Sequence, residues 1–265
     1  MFNNDIFWNY SIKPFMIHFV TFWIGSGIFG LADYYYSRPD NKYMLPIIKL
    51  QKTKEIDWGK YQQTALVSLK NQLFYGIPLT ILTTPIWTFE QNLFFINQIN
   101  IQSLIIKVIG ANIIKEGLFY YFHRLLHQPW FYKNIHRIHH EWKAPVACRA
   151  LYSHPFEYII GDAFLPILSS WLINLSSVEM SIFFFLNTIG TIRNHCGYSS
   201  SIFGAIEHDK HHQYFRCNYG SAFFDRLHGT RALDYLKKIE DKKEDKKEDK
   251  PEDKPEDKIL NKSNN

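Results

Sequence analysis

Residues 119–140 read FYYFHRLLHQPWFYKNIHRIHH and residues 207–212 read EHDKHH. Together they hold eight of the chain's twelve histidines in three clusters. These are His123 and His127, then His136, His139 and His140, then His208, His211 and His212. The patterns are H-x3-H followed by H-x2-H-H twice. Steps of three and four residues return side chains to one face of an α-helix, so each cluster is expected to aim its imidazoles at a common point. Neutral imidazole is the commonest metal-ligating side chain. Eight of them exceed what one ion needs, and the pattern predicts a two-metal site built almost wholly from histidine.

The stretches around these clusters predict an all-α, polytopic membrane protein. Residues 15–32, FMIHFVTFWIGSGIFGLA, carry no formal charge over eighteen residues, long enough to span a hydrocarbon core. A second apolar stretch runs over 73–89. A third, over 101–122, is interrupted by Lys107, Lys115 and Glu116. Residues 158–193 are apolar on both sides of a polar break at 174–179 and read as a helical hairpin. About four transmembrane or re-entrant helices result, with a cytosolic helical cap carrying the clusters. An even number of crossings between the second and third clusters keeps them on one side, as a shared metal site requires. Arg38, Lys42, Lys49, Lys52, Lys54 and Lys60 follow the first span, whereas residues 90–102 have no Lys or Arg. The positive-inside rule therefore predicts cytosolic histidines. A soluble helical bundle is the alternative for the weaker stretches.

Other signals carry less. Gly25, Gly27 and Gly30 fit G-x-G-x-x-G, but no strand precedes them inside the first apolar run, so helix packing is expected. Asn9 and Asn174 begin glycosylation sequons, both lumenal in this reading. Cys148, Cys196 and Cys217 are an odd number without C-x-x-C spacing, which argues against a disulfide framework or a zinc finger. Between Lys237 and Lys258 there are 9 Lys against 10 Asp plus Glu, so the chain's net +5 lies elsewhere. That tail has too few apolar residues to offset its ordering entropy and is expected to be disordered. Basic charge without an arm interleaved with stacking aromatics points to a membrane surface and not to nucleic acid. The organisation expected is N-terminal membrane helices and a cytosolic loop over 1–100, a catalytic domain over 101–236 and the charged tail over 237–265.

Imidazole suits Zn, Cu, Fe and Ni alike, so ligand type does not choose the metal. A zinc hydrolase would use three protein ligands and an open position, with a nearby carboxylate base. A redox pair of irons that cleaves dioxygen fits the histidine count better. With no nucleotide fold in the sequence, reducing equivalents would come from another protein. Glu116, two helical turns before His123, could fix an imidazole tautomer or form an ion pair; Glu141, Glu157, Glu207 and Asp209 are similar candidates. His18 and His228 read as packing residues. His195, where the hairpin returns, is favoured as a ninth ligand, and His154 as a ligand or a substrate-pocket wall.

With these residues assembled, the chain resembles the sterol desaturase / fatty acid hydroxylase superfamily of membrane di-iron enzymes. The resemblance covers residues 116–230 and rests on FYYFHRLLH (119–127), FYKNIHRIHHEWKAP (131–145), LYSHPFE (151–157), NHCGY (194–198) and EHDKHHQYFRCNYGSAFFDRLHGT (207–230). HEWKAP, LYSHP, HCGY and RLHGT look most like the C-4 methylsterol oxidase branch. The resemblance implies an endoplasmic-reticulum enzyme with two Fe ions. It would oxidise a sterol C-4 methyl group with O2, using NAD(P)H electrons delivered through cytochrome b5 and its reductase. It carries the ligand role to His123, His127, His136, His139, His140, His195, His208, His211 and His212, with His154 matching a recurrent family histidine. The alternatives are a cholesterol 25-hydroxylase-like enzyme, a C-5 sterol desaturase, a fatty acid hydroxylase, or a non-enzymatic zinc-binding membrane protein.

Overall fold

The computed structural model describes residues 4–38, 47–51, 55–90, 100–142, 146–199 and 205–237. The charged tail lies outside them from residue 238 onward, as do Lys42, Lys52, Lys54 and residues 91–99 used above for sidedness. Among the described residues the fold is helical, apart from two short strands. Helix α1 spans Asn4–Tyr36 with a π turn at Trp8–Ile12. Helix α2, Trp58–Lys70, passes through a π turn at Asn71–Gly76 into α3, Ile77–Glu90. Helix α4 is Ile101–Leu126, α5 Leu165–Leu172, α6 Ser177–His195, α7 Ile206–Tyr214 and α8 Ala222–Leu227. Strands β1, Ile48–Lys49, and β2, Tyr198–Ser199, pair antiparallel.

Polar residues at the element boundaries explain where the helices begin. Asp57 caps α2 by accepting the Lys60 N–H at 3.0 Å, and Asn100 caps α4 by accepting that of Ser103 at 3.1 Å. Ser176 and Glu179 form a capping box at the start of α6. The chain reverses between α5 and α6 through Asn174 at φ 53°, a left-handed position that asparagine tolerates. The polar break expected at 174–179 is therefore a cap and a turn, and the hairpin read from the sequence is α5 followed by α6.

Gly25 lies where a Cβ would come within 2.7 Å of Ile192 Cδ1, and a Cβ on Gly30 would come equally close to the Tyr61 hydroxyl. These glycines let α1 approach α6 and α2, the packing role expected of the glycine motif. Val108 and Ala111 of α4 pack with Ile167, Met180 and Phe183 in one core cluster. Phe22, Leu151, Tyr158 and Ile192 build a second. The Ser177 hydroxyl donates to Asn9 O at 3.0 Å, so both sequons sit at one end of the bundle. His195 closes α6 after its 19 residues, about 28 Å further on.

Helix α1 alone among the described residues is long and apolar enough to cross a membrane by length and hydropathy. Its Met16, Val20, Ile24, Ile28 and Leu31 form an exposed stripe along one side. The count of four spans is not reached by that criterion because Lys107, Lys115 and Glu116 interrupt α4 and a reversal divides α5 from α6.

Candidate metal centre

The histidines converge at the end of the bundle where α4 and α6 finish. His123 lies in the last turn of α4 and His127 is its C-cap residue. His136 ends a π turn, Tyr132–His136, and His139 and His140 open a 3-10 turn, His139–Glu141. His195 ends α6, and α7 carries His208, His211 and His212. All nine side chains enter one of two groups. His123, His127, His136, His140 and His211 form the first; His139, His195, His208 and His212 form the second. Within each group the candidate ligand nitrogens lie within 4.8 Å of one another.

The expectation that each cluster aims at one point holds only for the first. Successive helical side chains are about 100° apart, so in H-x2-H-H the outer pair shares a direction and the neighbouring histidine leaves it. His136 and His140 enter the first group while His139 turns to the second. In α7 the allotment is reversed, with His208 and His212 in the second group and His211 in the first.

Hydrogen bonding at the far side of the rings decides what the converging nitrogens carry. His139 Nδ1 lies 3.2 Å from Tyr152 O and His195 Nδ1 lies 2.9 Å from Thr191 O. A carbonyl oxygen only accepts, so each Nδ1 holds the proton and each Nε2 presents a lone pair. Those two Nε2 atoms are 3.2 Å apart. Two facing lone pairs repel, and a cation between them removes the conflict. The first group repeats this arrangement: His123 Nδ1 donates to Tyr219 O and His211 Nδ1 to Cys217 O, both at 2.6 Å. Burial holds the imidazoles neutral. It lowers the pKa of His123 to about 4, and for His195, where Arg149 adds to the effect, to about 3.

The spacing also bears on geometry. With metal–nitrogen bonds of about 2.1 Å, ligands at 90° stand about 3.0 Å apart and ligands at the tetrahedral angle about 3.4 Å. In the first group Nε2 of His136 is 3.0 Å from those of His123, His127 and His140, and His211 Nε2 is 3.1 Å from His140 and 3.2 Å from His127. In the second, His208 Nε2 is 2.8 Å from His195 and 2.9 Å from His212. Separations within each group extend to as much as 4.8 Å, so the donor set fits two metal ions without choosing their coordination geometry.

His154 is not brought to either group. Its Nδ1 accepts the Phe156 N–H at 3.1 Å and caps the turn at Pro155. It stands outside the ligand set because its ring serves its own backbone. Glu116 is taken up by Lys115 at 2.6 Å. Glu141 accepts from the Tyr152 hydroxyl, Glu207 from Asn218, and Asp209 from Gln51 and Gln213. Among these acids Glu157 alone bonds a clustered histidine: its Oε1 lies 2.8 Å from His136 Nδ1. Burial, with Asp162 second, pushes the Glu157 carboxyl well above the ordinary range. Because that bond orients His136, Glu157→Gln is expected to weaken metal binding about 10–100-fold with the fold intact, measured by chelator competition.

The model of the family described as "Fatty acid hydroxylase" matches residues 108–230, the stretch that holds all nine histidines. The chain belongs to the sterol desaturase / fatty acid hydroxylase superfamily. "Fatty acid hydroxylase domain-containing protein 2" of Homo sapiens is 35% identical over 191 residues, covering 70% of this chain and 56% of that protein. A putative methylsterol monooxygenase of Dictyostelium discoideum is 28% identical over 205 residues, covering 73% of this chain and 76% of that protein. Methylsterol monooxygenase 2-2 of Arabidopsis thaliana is 36% identical over 149 residues, covering 49% and 56%. The chain thus spans a little over half the length of the human relative it matches. No solved structure matches it.

Some partners of the histidines in this superfamily member leave no trace in the sequence. The acceptors Tyr152 O, Thr191 O, Cys217 O and Tyr219 O are main-chain atoms that any residue type could supply. Arg149 is fully buried, with Nη2 donating to His139 O at 2.9 Å and standing 2.5 Å from His212 Nδ1. It sits in a run, ACRAL, that contains no histidine or acid. His228, expected to be structural, stacks on Tyr120 at 5.0 Å between centroids and bonds the Tyr121 hydroxyl at 3.1 Å.

Proposed function

We propose that the protein is a membrane-bound di-iron monooxygenase acting on a lipid, with the C-4 methyl group of a sterol precursor as the carbon oxidised. The single observation that carries this reading is the convergence of nine imidazoles into two groups, in each of which the candidate ligand nitrogens lie within 4.8 Å of one another. A pair of irons bound there supplies the two electrons and the oxygen activation that attack on an unactivated C–H bond requires.

The chain's own residues hold and shield that centre. The nine histidines His123, His127, His136, His139, His140, His195, His208, His211 and His212 are the proposed ligands. Main-chain carbonyls hold the Nδ1 protons of His123, His139, His195 and His211, Glu157 bonds Nδ1 of His136, and burial excludes water from most of the rings. Exposed isoleucines at 101, 105, 106, 109 and 113 give α4 a lipid-facing side despite its interior charges. That face, the stripe on α1, and exposed Phe185, Leu186 and Ile189 on α6 support the proposal of about four membrane-embedded helices. The proposal further includes a cytosolic cap carrying the metals, a catalytic unit over 101–236 and residence in the endoplasmic reticulum. Electrons from NAD(P)H would arrive through cytochrome b5 and its reductase, and the substrate would enter from the bilayer. The names of the Dictyostelium and Arabidopsis relatives support the methylsterol substrate.

Cells lacking the protein are expected to accumulate 4-methyl or 4,4-dimethyl sterols, with rescue by the wild type and none by His139→Ala. Sterols that stay unchanged would exclude the methylsterol substrate. Purified protein that retains zinc and consumes no oxygen with any lipid would exclude the oxygenase.

A further inference from the structure

Arg149 stands against the four-histidine group without a counter-charge of its own. It is fully buried on the 3-10 turn Ala147–Leu151. Its Nη2 donates to His139 O at 2.9 Å and lies 2.5 Å from Nδ1 and 3.1 Å from Nε2 of His212. Among the described residues, Nε and Nη1 find no hydrogen-bond partner, and no carboxylate forms an ion pair with the guanidinium. The acid whose field reaches it, Asp209, is already bonded by Gln51 and Gln213.

A buried cation touching two ligands of one site acts in two ways on an ion bound there. The first is charge. An ion held by His212 Nε2 at an ordinary bond length of about 2.1 Å stands within about 5 Å of Nη2. At that range, away from water, like charges repel strongly. The second is competition for electrons. A guanidinium has N–H donors and no acceptor, and a neutral imidazole has one ring lone pair for a metal or a proton donor. Nη2 is within hydrogen-bonding distance of both nitrogens of His212, so it engages that lone pair whichever of them carries it. The five-histidine group is built otherwise. Among the described residues no Lys or Arg bonds its rings, and His136 is bonded instead by the Glu157 carboxyl at 2.8 Å. The charge of Arg149 reaches His136 and His211 without a hydrogen bond to either.

We propose that Arg149 makes the four-histidine group the weaker metal site, so that the five-histidine group fills first and empties last. The chain therefore stands half-loaded over a window of metal concentration, and the charge of Arg149 widens that window. The four-histidine group also has one ligand fewer, which acts in the same direction. Variants of Arg149 separate the two causes, because they leave the ligand count unchanged. The inference rests on the two-ion reading of the histidines, and not on iron, oxygen or a lipid substrate.

The test uses the purified full chain in lipid nanodiscs, loaded with cobalt(II) and challenged with graded chelator. Ions per chain and the visible spectrum are read together. Two release steps are expected, and the ion left after the first should show the spectrum of His212→Ala and not that of His211→Ala. Arg149→Gln, which keeps a donor for His139 O without the charge, should hold the weaker ion about tenfold or more tightly. The tighter ion should change less. Arg149→Lys, which keeps the charge, should release its weaker ion as the wild type does. If Arg149→Gln does not fold, Arg149→Met carries the same comparison, and the order of release in the wild type needs no variant. A single release step for both ions, first release from the five-histidine group, or a weaker ion held no more tightly in a folded Arg149→Gln protein would overturn the proposal. So would equal tightening by Arg149→Lys, which would make the effect one of shape and not of charge. A chain that never takes up two ions would sink the two-ion reading and this proposal with it.

Discussion

His211→Ala and His212→Ala, changes at adjacent residues, are expected to strip different metal ions. The first removes a ligand from the five-histidine group and the second from the four-histidine group. Metal analysis of the wild type should give about two ions per chain, and each variant about one. The remaining ion should differ spectroscopically between the two variants, because one site offers five imidazoles and the other four. Oxidation of lipid should vanish in both. The expected loss is large because His211 is fully buried and its Nδ1 is fixed by Cys217 O at 2.6 Å. His212 is held in a different way, with Arg149 against its ring. If both variants lost the same ion, or if either kept a full complement, the division into two groups would be wrong.

The second large effect concerns the strap that holds the four-histidine group. Asp33, at the end of α1, is fully buried and pairs with Lys49 of β1, itself almost fully buried. The Tyr198 hydroxyl donates to Asp33 at 2.7 Å, and the Lys49 ammonium lies 4.7 Å from the centre of the Tyr198 ring. Leu50 N–H donates to Gly197 O, and the Gln51 amide donates to Asp209 at 2.7 Å. Residues 47–51 thereby tie the end of α1 to the segment just after His195 and to the residue beside His208. Asp33→Ala leaves a buried ammonium without its counter-charge, and a loss of about 3–5 kcal/mol is expected in equilibrium unfolding. Replacing both partners by leucine should restore most of that stability, since a well-packed apolar pair avoids the desolvation cost. A single variant that loses less than about 1 kcal/mol would show that the pair is solvated and that the strap is not held by charge.

The comparison of sequence with structure is uneven for physical reasons. The hairpin after His154 was legible because its break carries capping residues whose preference is local, Ser176 with Glu179 and Asn174 at a left-handed turn. The glycines of the first span were legible as packing positions because no strand precedes them. His154 lies outside both groups, with its ring serving its own backbone, an outcome that spacing does not encode. Glu116 and Glu157 looked equivalent as partners of histidine. Only the packing of the 155–164 turn against His136 separates them.

From its residues alone, the chain determined the chemistry available: the number of imidazoles, their helical spacing and the apolar stretches that embed them. Which imidazole serves which ion was decided by the tertiary structure. Helical periodicity sets the angle between His211 and His212, but the partner each meets depends on where α4, α6 and the 132–141 turns end in space. The protonation pattern was decided there as well, because carbonyl acceptors at Tyr152, Thr191, Cys217 and Tyr219 exist only once the chain has folded around the rings.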